Sequence, residues 1–214
     1  MVTAQAIIEI LESAAFQKEL DELSTYAASM KQERPIVLLL SKYFWGKGLK
    51  ASPELKKCDL DVDGTKIEFK FHYDSDVPGT CGEMKARGVT YESLRKAITS
   101  KILHPTWTTT PGIFKDIYDK KADIFVWIIC SRNLSNLTKD DRQRVCWSEP
   151  LGKFKKNNPL LTNDDIFAQA KEFLQGMTDG MTEERKRRSI QSKKLATNGL
   201  FPSTYNFILC EFEK

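Results

Sequence analysis

The run Ile124–Cys130 is apolar without interruption. It is far shorter than the ~20 residues that a membrane-spanning helix needs. A strand that is apolar at every position has two faces to bury, so it belongs inside a sheet that is covered on both sides. Reading that strand over Ala122–Cys130 therefore commits the chain to a layered α/β fold, a central mixed sheet flanked by helices.

The other elements are arranged around this strand. Ile7, Ile10, Leu11, Ala14 and Ala15, then Phe16, Leu20 and Leu23, fall at helical spacing and predict a helix over 3–29. Arg34-Pro35 opens a second helix, with proline where a missing N–H costs little, and that helix stops at Gly46 or Gly48. Residues 49–56 read as a connection containing Pro53. Lys57–Val62 and Thr65–His72 alternate in character and flank Asp63-Gly64, the strongest short-range hairpin signal there is. A glycine-bearing loop follows, then helices at Tyr91–Leu103 and Phe114–Lys120, the central strand, an irregular stretch over 131–163, a helix at Asp164–Gln175, a basic segment at 183–194 and a last strand at Tyr205–Glu213. We read one domain over 1–214.

Charge is unevenly spread. The net charge is +4, but residues 59–76 carry six acids and two bases, and residues 183–194 carry six bases and two acids. The overall excess of base suits a polyanionic partner, and one acidic knot stands against it. Five cysteines with no CxxC pair, and an N-terminus with acids inside its apolar stretch, lead us to expect a cytoplasmic chain with no membrane segment. Cys58, Cys130 and Cys210 lie in strand-like runs and read as small core residues, as do Trp45 and Trp127.

Closing the hairpin on Asp63-Gly64 fixes its register. Val62 faces Thr65, Asp61 faces Lys66, Leu60 faces Ile67 and Asp59 faces Glu68. Alternation then puts Cys58, Leu60, Val62, Ile67, Phe69 and Phe71 on one side, and Asp59, Asp61, Lys66, Glu68, Lys70 and His72 on the other. Carboxylates opposed across two strands lie ~5 Å apart and repel. A divalent cation between them removes the conflict, and Mg²⁺ takes one or two carboxylates while keeping its waters. Lys70 follows Glu68 on the same face, within reach of a phosphate oxygen. Two carboxylates, a cation and an ammonium are the parts of a phosphodiester hydrolysis site.

Asp59 followed by Glu68-Phe69-Lys70 on the second strand of a hairpin resembles the signature of the PD-(D/E)xK nuclease superfamily, which includes the type II restriction endonucleases. The element order over about 30–130 is similar to that core. Residues 1–29 and 131–214 would then be peripheral elements for recognition and dimerisation. The resemblance implies that Asp59, Glu68 and Lys70 are catalytic. It implies that Asp59, Glu68 and the backbone carbonyl of Phe69 bind one or two Mg²⁺ ions, with Glu33 of the preceding helix as a further ligand. Cys58 stands where many members have proline. The implied activity is Mg²⁺-dependent hydrolysis of double-stranded DNA by a homodimeric, sequence-specific endonuclease. The alternatives are a repair or phage nuclease without sequence specificity and a non-catalytic nucleic-acid-binding protein of the same fold. Lys85 and Arg87 in the loop after the hairpin, and Arg185, Arg187 and Arg188 in the basic segment, are candidate DNA contacts. His72 is a candidate substrate contact, and Asp74 and Asp76 are candidates for a second ion.

Overall fold

The computed structural model describes residues 1–26, 32–54, 58–74, 77, 113, 116–117, 120–132, 163–179, 185–199 and 201–213. The described elements are α1 (Ala4–Glu12), α2 (Ala14–Tyr26), α3 (Glu33–Gly46), β1 (Ala51–Pro53), β2 (Leu60–Val62), β3 (Thr65–Tyr73), β4 (Ile124–Arg132), α4 (Asn163–Asp179), β5 (Arg187–Ala196) and β6 (Ser203–Phe212). They form a six-stranded mixed sheet in the order β1-β2-β3-β4-β6-β5. Among the described strands only β3 and β4 pair in parallel.

The expected central strand is β4. Every residue from Ile124 to Ser131 is buried, because β3 and β6 flank it and both faces carry a core. Val126, Ile128 and Cys130 join Ile67, Phe69, Phe71, Phe207 and Leu209 against α1, α2 and α3. Phe125, Trp127 and Ile129 join Ile208, Cys210 and Phe212 against α4 and against Ile113 and Ile117. The fold is thus three layers, helix, sheet and helix, as the apolar run required. Cys58, Cys130 and Cys210 are buried free thiols.

The turn and the first three pairs of the hairpin form as read, while the expected pair of Asp59 with Glu68 lies beyond the ladder. Asp63 and Gly64 take φ values of 48° and 80°, both positive, as a two-residue type I′ turn demands. The register is Leu60↔Ile67, Asp61↔Lys66 and Val62↔Thr65. Helix α3 ends at Gly46, and Gly48 supplies the left-handed φ of 78° that turns the chain away.

Five expectations need correction. The helix over 3–29 is two helices, because Ser13 leaves helical geometry with ψ 137°. Its Oγ donates to Ile10 O at 2.8 Å and accepts from Phe16 N at 3.2 Å, so one hydroxyl closes α1 and caps α2. The connection over 49–56 contains β1, which pairs with β2 from Ala51↔Val62 to Pro53↔Leu60; proline is tolerated on such an edge strand. The first hairpin strand begins at Leu60 rather than Lys57. The basic segment is largely the edge strand β5, and positive side chains on an edge discourage further pairing. Trp45 is 56% exposed, held at the surface by its Nε1 donating to Ala51 O at 2.6 Å.

Candidate active site

Strand β3 has nine residues, but β2 covers only the first three. Beyond Leu60 the N–H groups of Phe69 and Phe71 still point toward the missing strand, and two carboxylates take its place. Phe69 N donates to Asp59 Oδ2 at 2.7 Å, and Phe71 N donates to Glu33 Oε2 at 2.7 Å. Asp59 comes from the chain just before β2, and Glu33 from the first turn of α3. Both line one cavity of about 200 Å³ with Val37, Leu38 and Pro53.

The face of β3 that holds Glu68, Lys70 and His72 is not open to water. It lies on the side of Phe125, Trp127 and Ile129, beneath the second core. Glu68 is fully buried. Its Oε2 accepts from Lys120 Nζ at 2.7 Å, while its Oε1 is buried and has no hydrogen-bond partner among the described residues. Burial, reinforced by the Asp59 charge and opposed by Lys120, pushes the Glu68 carboxyl up to about 8. Burial likewise pushes the Cys58 thiol up to about 11, which keeps it protonated and inert.

Lys70 reaches Asp116 Oδ2 at 3.2 Å, and Lys120 reaches Asp116 Oδ1 at 3.2 Å. The result is a connected cluster of ionisable groups running Asp59, Glu68, Lys120, Asp116, Lys70, with the two acids Asp59 and Glu68 adjacent at one end. Glu68 is sealed inside, whereas the two lysine side chains are about one-third exposed (28% for Lys70, 33% for Lys120). Glu68 therefore sits behind the two partly exposed ammoniums.

This donor set fits a divalent cation. A buried carboxylate oxygen without a partner among the described residues, beside a second carboxylate, is costly unless a proton or a cation joins it. The described residues hold no group of three or more His, Cys, Asp or Glu side chains arranged around a single point.

The remaining candidates are placed elsewhere. Asp61 is buried, and its Oδ1 accepts from Gly64 N at 3.0 Å to brace the turn. His72 is buried, and its Nδ1 accepts from Trp127 Nε1 at 2.9 Å. Asp74 is buried. Arg185 donates to the carbonyls of Ile117 and Ala122 and lies over the Phe212 ring. Arg187 pairs with Asp179 at 2.6 Å and Arg188 with Glu211 at 3.3 Å. Lys85, Arg87, Asp76 and the helix expected at Tyr91–Leu103 lie outside the described residues.

Sequence reasoning missed Asp116 and Lys120. They are four residues apart in a segment that reads as helix, so they share one face. Nothing in the sequence ties that face to β3.

No family model, no curated protein and no solved structure matches the chain. What the coordinates define is an α/β fold on a six-stranded mixed sheet, with a carboxylate and lysine cluster on β3. Among the described residues no helix is long and apolar enough to cross a membrane.

Proposed function

We propose that the chain is a Mg²⁺-dependent DNA endonuclease with a restriction-endonuclease-like core, acting as a sequence-specific homodimer on double-stranded DNA. One observation carries the reading: Glu68 buries a carboxylate oxygen without a partner among the described residues, beside Asp59, and Lys70 follows two residues later on the same strand face.

Asp59 and Glu68 would hold Mg²⁺, with the Phe69 carbonyl and Glu33 as further candidate ligands. When bound, such an ion lowers the pKa of its water and offsets phosphate charge. The protein's own groups do the rest. Asp59 and Glu33 are fixed through the β3 backbone, so their charges are oriented before substrate arrives. Lys70, at the mouth, donates to a phosphate oxygen and offsets the charge that builds there during attack. The core behind Glu68 keeps bulk water away from the carboxylates. Water oxygen bonds to phosphorus as the bond to the 3′ oxygen breaks, leaving a 5′-phosphate and a 3′-hydroxyl. A two-fold dimer would match a palindromic site and cut both strands.

The test is incubation of supercoiled and linear DNA with the protein, in Mg²⁺ or in chelator, beside Asp59→Ala and Lys70→Ala. Metal-dependent cleavage lost in both variants supports the reading, and discrete fragments support sequence specificity. Equal cleavage by Lys70→Ala overturns the site. DNA binding without cleavage by the wild type moves the reading to a non-catalytic nucleic-acid-binding protein.

A further inference from the structure

We infer that Lys120 is a second active-site lysine, which holds Glu68 while no divalent ion is bound and moves to a substrate phosphate when an ion takes Glu68 from it. The inference rests on the nuclease reading of the site.

The geometry supports an exchange of partners. Lys120 Nζ has two carboxylates, Glu68 at 2.7 Å and Asp116 at 3.2 Å. Once ionised, a buried carboxylate needs a cation beside it, and among the described residues Lys120 is the one whose ammonium reaches Glu68 Oε2, at 2.7 Å. A divalent ion on Glu68 would face that ammonium at contact range, and like charges so close in a poorly screened site repel strongly. One of the two must leave. Lys120 is able to, because one-third of its side chain reaches solvent.

Its backbone stays in place. Arg185 grips the carbonyls of Ile117 and Ala122. Asp123 N donates to Lys66 O at 2.8 Å, and Lys66 N donates to Asp123 Oδ2 at 2.8 Å. The segment carrying Lys120 is thus pinned from behind and stapled to β3, which confines movement to the lysine side chain.

Charge decides where the ammonium goes. Once it leaves Glu68, Asp116 stands alone between Lys70 and Lys120. Two ammoniums on one carboxylate leave an excess positive charge at the mouth of the site. A phosphodiester is the anion that meets it there. Ion and nucleic acid would therefore load together, each favouring the other.

Amine-reactive labelling of the wild type, read residue by residue by mass spectrometry, tests the movement. Labelling of Lys120 should rise several-fold on adding Ca²⁺ and fall again on adding a duplex oligonucleotide. Mn²⁺ affinity measured by electron paramagnetic resonance tests the competition. Lys120→Gln should bind Mn²⁺ at least about tenfold more tightly than wild type, and Lys120→Arg should bind it as the wild type does. Lys120 labelling indifferent to Ca²⁺, or weaker Mn²⁺ binding by Lys120→Gln, overturns the inference and leaves the nuclease reading standing. Failure of the wild type to bind Mn²⁺ at all overturns both.

Discussion

The Asp59 carboxylate accepts the backbone N–H of Phe69 at 2.7 Å, one residue beyond the Glu68 that it repels. Strand pairing and site assembly are therefore one event. Where β2 stops, its ladder partner is replaced by a charged side chain, and Glu33 does the same for Phe71. Each carboxylate satisfies a backbone donor of β3 with one oxygen.

That double role separates stability from binding. Asp59→Asn keeps an oxygen for Phe69 N and removes the repulsion with Glu68. It should unfold at or above the wild-type temperature in chelator, a gain of up to ~1 kcal/mol, while losing cleavage. Glu33→Ala should cost about 1–3 kcal/mol because Phe71 N is left unpaired. Glu33→Gln should recover most of that stability without restoring metal affinity. Thermal unfolding and Mn²⁺ titration of the three variants give the comparison.

Glu68 sets a pH dependence. Its carboxyl titrates at about 8 in the fold, against 4.5 ordinarily. Between those values the native state holds a proton that the unfolded chain has lost. The stability from this group is therefore fully present below pH 4.5 and lost as pH climbs through about 8. The metal-free protein should lose roughly 2–4 kcal/mol across that window, and Glu68→Gln should flatten the profile. Chemical unfolding in chelator at a series of pH values measures both. A wild-type profile no steeper than that of Glu68→Gln would contradict the burial of this carboxylate.

The parts of the fold that could be read in the sequence are those whose signal is local. Apolar periodicity gave α3, β4, α4 and β6, and Asp63-Gly64 gave the hairpin and its register. Asp59, Glu68 and Lys70 came from the same count along two strands. Other features depend on contacts between distant segments. Ser13 breaks a helix because its hydroxyl competes for backbone groups, which apolar spacing does not reveal. β1 and β5 are short of apolar residues and exist because β2 and β6 offer them partners. Lys120 and Asp116 sit more than forty residues from β3 in sequence, and only the parallel pairing of β3 with β4 brings their segment over Glu68.

Gly199 tests how closely the β5–β6 connection is packed on α2. A Cβ there would lie 2.3 Å from Thr25 Oγ1 and 2.9 Å from Asp21 O. The Thr25 hydroxyl can rotate away, but the Asp21 carbonyl belongs to the helix and cannot. The neighbouring Asn198 N donates to Asp21 Oδ1 at 2.9 Å, which holds the loop in place. Gly199→Ala should cost about 1–3 kcal/mol from overpacking, seen as a lower unfolding midpoint with cleavage intact in the folded fraction.

DNA affinity should depend on divalent ions even when no cleavage occurs. Residues 59–76 carry a net charge of −4, while the chain as a whole carries +4, so everything outside that stretch sums to +8. The positive remainder draws DNA in, and the acids of the hairpin push it away from the one place where chemistry would happen. Within that stretch Asp61 is turned into the turn and Asp74 is buried, so the repulsion felt at the site falls chiefly on Asp59, joined by Glu68 as pH rises through about 8. Ca²⁺, which fills oxygen sites without supporting the reaction in many Mg²⁺ enzymes, should therefore tighten binding of a labelled duplex by about tenfold or more at low salt. Asp59→Asn, with one acid fewer, should bind DNA more tightly than wild type in chelator and respond less to Ca²⁺. Fluorescence anisotropy measures both effects. An affinity that ignores divalent ions in the wild type would mean that Asp59 and Glu68 hold no cation near the DNA, and the metal site would lose its electrostatic support.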